Sequence, residues 1–327
     1  MRTETAEVAI VGGGLAGAAL AARLAGRGHE VVLVERMASW HWRAAGVFAS
    51  PAALAVLREC GLDPATIEAV ARPIPAMRVE TGRGTAFRLT YGTEGGGQPA
   101  IGFDRSRLDP ALLELAGRAG ADVRRGWTAT AVELAGGGLT LRGPNGEPAE
   151  ILARVIVGAD GPRSIVARAA GVARPSRLGP RLGLTWHQPV PAPDRSGDAR
   201  MCLIRDGYVG VAPVPGGRVN VGIVLGRSWH GQVAQRGGRL VADTIVGAIA
   251  PTEDDPARWR SGPPLDPLVG AWPLGHRVTR RAGPGWLLVG DAAGFLDPFT
   301  GEGIHRALVS AELAATAIHA QAKGRPA

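Results

Sequence analysis

Cysteine, lysine and tyrosine are nearly missing from this chain. Its 327 residues hold two cysteines, Cys60 and Cys202, a single lysine, Lys323, and two tyrosines, Tyr91 and Tyr208. Neither cysteine sits in a Cys-x-x-Cys pair, and none of the seven histidines falls at a metal-type spacing. A disulfide framework and a zinc site are therefore not expected. No basic block occurs either. The net charge is +8, but the excess is arginine placed singly or in pairs such as Arg124-Arg125 and Arg280-Arg281, without interleaved aromatics, so no nucleic-acid partner is expected. The segment Met1 to Val11 lacks a basic stretch followed by an apolar run and a cleavage site, and Arg23 interrupts the longest early apolar run. Neither a secretion signal nor stable membrane insertion is expected, and the chain reads as cytoplasmic.

What is present is a globular balance, 45% hydrophobic against 20% charged, which excludes a mainly disordered chain. The 49 glycines follow no Gly-X-Y period, so collagen is excluded too. The length suits two joined domains or one large α/β unit. Glu7 to Val11 reads as a strand, Gly12-Gly13-Gly14-Leu15-Ala16-Gly17 as the turn opening a helix to Gly28, and Val31 to Val34 as a second strand ending at Glu35. Such a βαβ unit binds ligands at the carboxyl ends of its strands. A helix is expected from Pro51 to Cys60, with Ser50 as its N-cap, and another from Arg107 to Ala119. Val123 to Val132, Leu139 to Leu141, Ile151 to Val157 and Trp286 to Val289 read as strands, and about Gly303 to Ala320 as a helix. Short runs broken by Gly and Pro, from Pro75 to Phe103 and from Leu182 to Leu225, read as an antiparallel region. Pro189 to Gly197 is the best loop candidate. The expected architecture is α/β: a discontinuous Rossmann-like domain over 1-74, 104-180 and 271-327, and an inserted β-rich substrate domain over 75-103 and 181-270.

In Gly12-x-Gly14-x-x-Gly17 the first glycine permits the tight turn, the second lets a pyrophosphate approach the backbone, and the third lets helix and strand pack closely. The helix amino terminus then faces the phosphates. Glu35, at the end of the next strand, is placed to accept hydrogen bonds from a ribose, and favours FAD or NAD over NADP; Arg36 beside it pulls the other way.

Two further segments decide between these cofactors. Leu287 to Gly294, continued by Asp297-Pro298-Phe299-Thr300-Gly301-Glu302-Gly303-Ile304, resembles the second FAD signature of the aromatic hydroxylase and geranylgeranyl reductase superfamily. Val157-Gly158-Ala159-Asp160-Gly161-Pro162-Arg163-Ser164 resembles its Asp-Gly motif. The resemblance implies FAD, with Asp291 on the ribityl chain, Gly301, Gly303 and Ile304 bringing a helix amino terminus to the flavin, and Asp160 and Gly161 tied to FAD and to NADPH or NADH as reductant. A helix amino terminus there would stabilise the anionic reduced flavin. Arg43-Ala44-Ala45-Gly46-Val47 is similar to the hydroxylase segment whose arginine contacts the flavin nucleotide, and Phe103 to Asp109 to a segment whose Arg105 lies along the cofactor.

The chain departs from its relatives at several places. Gly294 replaces the His-x-x-x-Pro of aromatic hydroxylases, Trp42-Arg43-Ala44 stands where reductases carry a Cys-Gly pair, and the catalytic lysine and Trp-x-Trp-x-Ile-Pro motif of flavin halogenases are missing. The segment after Gly303 is short, which leaves pocket closure and oligomeric state open. The resemblance implies an NAD(P)H-dependent monooxygenase acting on a hydrophobic or aromatic small molecule through a flavin C4a-hydroperoxide, with a reductase of carbon–carbon double bonds as the alternative and a non-catalytic flavin-binding protein as a third reading. Candidate acid–base groups are His305, Tyr208 and His187. Trp186, Trp272 and Phe299 are candidate pocket walls.

Overall fold

A computed structural model describes residues 2–82, 84–92, 98–190, 197–249 and 263–324. The loop expected at Pro189 to Gly197 falls mostly outside them.

The first strand, Arg2–Val11, lies between Pro148–Gly158 and Val31–Glu35, parallel to both. Trp286–Leu288 and Asp122–Arg125 extend the parallel set on either side. Strands covered on both faces must be apolar throughout, and Val31–Glu35 is buried along its whole length. The crossover helix Leu15–Ala25 packs its Ala/Leu surface against Gly303–Ala322 and Arg105–Arg118. The expected strand Val123 to Val132 is two strands. Gly126, at φ +79°, breaks the run. Asp122–Arg125 joins the parallel sheet, while Thr128–Glu133 turns back to pair with Gly138–Arg142, itself antiparallel to the first half of Pro148–Gly158.

A seven-stranded sheet lies beside it in the order Val269–Ala271, Leu182–Pro189, Arg218–Leu225, Gly207–Val214, Ala199–Ile204, Ala76–Thr81, Ala86–Thr90. It is antiparallel as expected except where Ala199–Ile204 runs parallel to Ala76–Thr81. That step is where the two separated segments of sequence meet. Ala100–Phe103 does not join this sheet but pairs with Phe48–Ala49 and Ala71–Ile74 in a small sheet of its own. At the junction, a Cβ on Gly102 would lie 1.8 Å from the Pro213 carbonyl oxygen.

Ser50 does not cap the second helix. That helix spans Ala52–Glu59 with Pro51 in the cap position, and the Ser50 hydroxyl is buried without a partner. Asp104, by contrast, accepts from the Ser106 N–H at 3.0 Å and starts the Arg105–Arg118 helix two residues before the expected Arg107. Two helices unforeseen within the β-rich region, His230–Arg236 and Gly238–Ala248, cover the outer face of the seven-stranded sheet. No described helix is long and apolar enough to cross a membrane.

Candidate cofactor and substrate site

The glycines of the first turn are there for different reasons. Gly12 sits at φ +104° and a Cβ there would come 2.5 Å from the Ala159 carbonyl oxygen, while one on Gly17 would come 1.9 Å from the Gly12 oxygen. Both are required by the fold itself. Gly14 has φ −72°, which any residue adopts, and a Cβ there would meet only the Arg43 guanidinium at 3.5 Å. Neither backbone nor packing demands a glycine at this position; the open space does. Gly14 caps Leu15–Ala25, whose first turn has no side-chain cap and no acidic residue. Free amides, a positive helix end and Arg43 thus converge on a cradle shaped for phosphate.

The surrounding residues complete that cradle. Glu35 is buried at the tip of its strand, accepting the N–H of Gly13 at 2.7 Å and of Met37 at 2.9 Å, which fixes its carboxylate beside the turn with lone pairs to spare for ribose hydroxyls. Arg36 is exposed to solvent. Asp109 holds two arginines: Arg105 grips it through two bonds of 2.6 and 2.9 Å, and Arg43 reaches it at 3.3 Å. Arg105 also donates to the Gly46 carbonyl at 2.7 Å. Its guanidinium is therefore spent on positioning the Arg43–Val47 segment. Asp109 was visible only as part of a motif, because its role depends on an i,i+4 partner and on a loop some sixty residues away.

Asp291 lies in the tight turn Gly290–Ala293, which is held by Ser310 accepting the Gly290 N–H at 2.8 Å. Burial pushes its carboxyl up to about 6, against the pull of Arg105 and Arg43. Among the described residues none is seen to donate a hydrogen bond to this carboxyl, which feels the charges of Arg105 and Arg43, and such a group suits a polyhydroxyl chain. Asp160 accepts the Ile165 N–H at 2.7 Å through one oxygen; the other is buried without a partner, and burial raises its pKa. Gly161, at φ +79°, has open space around its missing Cβ. The Gly303–Ala322 helix begins at Gly303 and Ile304, presented by the turn at Gly301, where φ is +68° and a Cβ would strike the Phe48 ring. These residues fit FAD: a phosphate cradle, a ribose acceptor, an unpartnered buried carboxyl oxygen and a second helix amino terminus gather about the carboxyl ends of the parallel strands.

The seven-stranded sheet supplies the opposite wall. Strand alternation puts Thr185, His187, Tyr208, Gly210, Asn220 and Gly222 on the face toward these loops. Tyr208 donates to Asp297 at 2.5 Å and packs edge-on to Phe299, with ring centres 5.2 Å apart. Asp297 also receives Arg181 at 2.7 Å and the Phe299 N–H at 3.0 Å. Burial, then the Asp297 carboxylate, raise the Tyr208 hydroxyl far above its usual range, and its bond to Asp297 anchors the 297–301 loop. His187 is buried, its Nδ1 2.6 Å from Asp266 and its ring centre 4.3 Å from that of Trp42. Burial lowers its pKa more than Asp266 raises it, which keeps the ring neutral. His305 is bound to Glu302 at 3.1 Å within its own helix turn.

Two expected pocket walls lie elsewhere. Trp186 is on the other face of its strand, buried among the outer helices with Arg239 stacked over it at 5.3 Å, because the alternation that turns His187 inward turns Trp186 out. Trp272 is 55% exposed and stands edge-on to His230. Phe299 stays at the site, 43% exposed beside Tyr208.

Known proteins resemble this chain over most of its length. The chain is 29% identical to the digeranylgeranylglycerophospholipid reductase of Methanoculleus marisnigri over 94% of its own length and 75% of that protein. It is 27% identical to the menaquinone reductase of Mycobacterium tuberculosis over 95% and 76%. The solved flavoprotein/dehydrogenase from Cytophaga hutchinsonii superposes with a TM-score of 0.86 at 22% identity, over 98% of this chain and 80% of that one, which shows the shared fold. The FAD binding domain family model matches residues 5–326, and the chain belongs to that family of FAD-dependent oxidoreductases.

Proposed function

We propose that this flavoenzyme, reduced by NADH or NADPH, adds hydrogen across a carbon–carbon double bond of a hydrophobic, prenyl-type molecule. The observation that carries the reading is the inner face of the seven-stranded sheet, where a buried apolar cluster of Val79, Met201, Tyr208 and Val224 adjoins the partly exposed glycines Gly210 and Gly222. A Cβ on Gly210 would touch the Met201 side chain at 3.8 Å and one on Gly222 the Gly210 carbonyl oxygen at 4.0 Å, so the glycines keep this part of the face shallow, and a hydrocarbon chain is proposed to lie over it. FAD supplies hydride transfer when bound. The chain's own residues would hold its phosphates at Gly14 and Arg43, its ribose at Glu35 and its ribityl chain at Asp291. The two curated relatives, matched over nearly the whole chain, are both reductases by name. The test is turnover under argon with reductant and menaquinone or geranylgeranyl probes. Products carrying two added hydrogens in the prenyl chain, after any quinol has been reoxidised to the quinone, support the reading; probes with unchanged prenyl chains despite active flavin reduction contradict it.

A second reading, monooxygenation of an aromatic substrate, draws on His187. A neutral imidazole oriented by Asp266 is the arrangement that accepts a proton from a phenol, and the Arg43–Val47 segment is hydroxylase-like. Labelled oxygen in the product would establish it.

A further inference from the structure

Two arginines far apart in sequence meet on one surface. Residues 161–181 and 267–290 carry Arg163, Arg168, Arg174, Arg177, Arg277 and Arg280, among others, and not one Asp or Glu. The fold brings the two segments together: Ala173–Pro175 pairs antiparallel with His276–Val278, and Arg174 stands directly opposite Arg277. Both are exposed. Like charges directly opposite each other across a ladder are unfavourable, and among the described residues no carboxylate relieves this pair; Arg174 donates to the Gly171 and Ala173 carbonyls at 2.9 and 2.7 Å.

Two bare leucines end the same ribbon. The loop after Pro175 runs beside Gly275, whose Cβ would lie 3.2 Å from the Ser176 hydroxyl and 2.6 Å from the Leu296 carbonyl oxygen. His276 and Phe295 exchange both backbone bonds. From this knot Leu178 and Leu296 project with 52% and 57% of their surface in water. Next to them Arg181 and Asp297 lead to Tyr208 and the cofactor site.

We propose that this surface docks the protein on an anionic lipid bilayer, with Leu178 and Leu296 entering the headgroup boundary and Arg174, Arg177 and Arg277 facing lipid phosphates. Exposed leucines ringed by uncompensated arginines match such an interface in both shape and charge. Its place beside that site would let a lipid-borne substrate pass to the flavin without crossing water, so it bears on the reductase reading but does not depend on it. The test is co-sedimentation of the flavin-loaded protein with phosphatidylcholine vesicles, with and without phosphatidylglycerol. Binding is expected only to the anionic vesicles and to weaken with salt. Arg174→Glu with Arg277→Glu should bind about thirtyfold more weakly, from roughly fivefold per arginine. Leu178→Ser with Leu296→Ser should also release the protein. All four positions are exposed, so unchanged flavin content and melting confirm intact folding. Equal binding to neutral vesicles, anionic binding that survives the leucine substitutions, or retention on heparin without vesicle binding would each overturn the proposal.

Discussion

The two walls of the site are made by different means. On the parallel sheet the backbone would do the binding: glycine turns, helix amino termini and amides held by Glu35. On the seven-stranded sheet the side chains would do it, through an apolar face whose hydrogen bonds, such as Tyr208 to Asp297, anchor loops instead of facing a ligand. A backbone site must be spelled with glycine at particular positions. A side-chain wall can be built from many apolar sets, and therefore has freedom to suit different substrates.

The contrast breaks most sharply at the first turn. Gly17→Ala should leave no folded flavoprotein, since its Cβ would overlap the Gly12 oxygen at 1.9 Å; soluble yellow protein with a normal melting curve would show that the turn is not as described. Gly14→Val should fold but lose FAD by a hundredfold or more, on the order of 3 kcal/mol, in fluorescence titration of the apoprotein; unchanged flavin affinity would misplace the pyrophosphate.

Asp291 offers a pH-dependent form of the same contrast. A carboxyl raised from 3.8 to about 6 on folding binds its proton more tightly in the folded chain, so it lowers stability as pH rises through that window and the cost persists above it. At about 1.4 kcal/mol per pH unit this amounts to roughly 3 kcal/mol at neutral pH. Apoprotein carrying Asp291→Asn should be the more stable by about that much at pH 7 and equal at pH 4 in urea unfolding, while binding FAD less tightly. Equal stability at both would remove the case for a carboxyl buried at some expense for its ligand.

On the other wall, Gly222→Leu should crowd the shallow part of the face, raising KM or abolishing turnover of long-chain probes while flavin content stays normal. Unimpaired turnover would move the substrate elsewhere. The smallest effect belongs to Trp186→Phe, which should cost about 1 kcal/mol of stability through loss of packing and leave KM for any substrate unchanged, as its place among the outer helices requires.

The same contrast explains what could be read in advance. The cofactor motifs were legible because each is a short run of neighbours: Gly12 to Gly17, Asp160-Gly161, Gly290-Asp291. Asp109 was not, since its meaning comes from Arg43 and Arg105 closing on it from two elements. Trp186 was misplaced because large aromatics fill cores and pockets alike, and only the register against Val221 fixes which side it faces. The arginine surface was invisible because its two segments lie about a hundred residues apart until Arg174 meets Arg277.

The central claim is that the apolar wall presents a double bond to the flavin. Turnover of a prenylated quinone with NADPH, run in parallel under argon and under labelled oxygen with the products weighed by mass spectrometry, tests it most directly. Once any quinol is reoxidised to the quinone, the same product is expected in both, with two added hydrogens in its prenyl chain and no label. A product formed only with oxygen and carrying the label would contradict it.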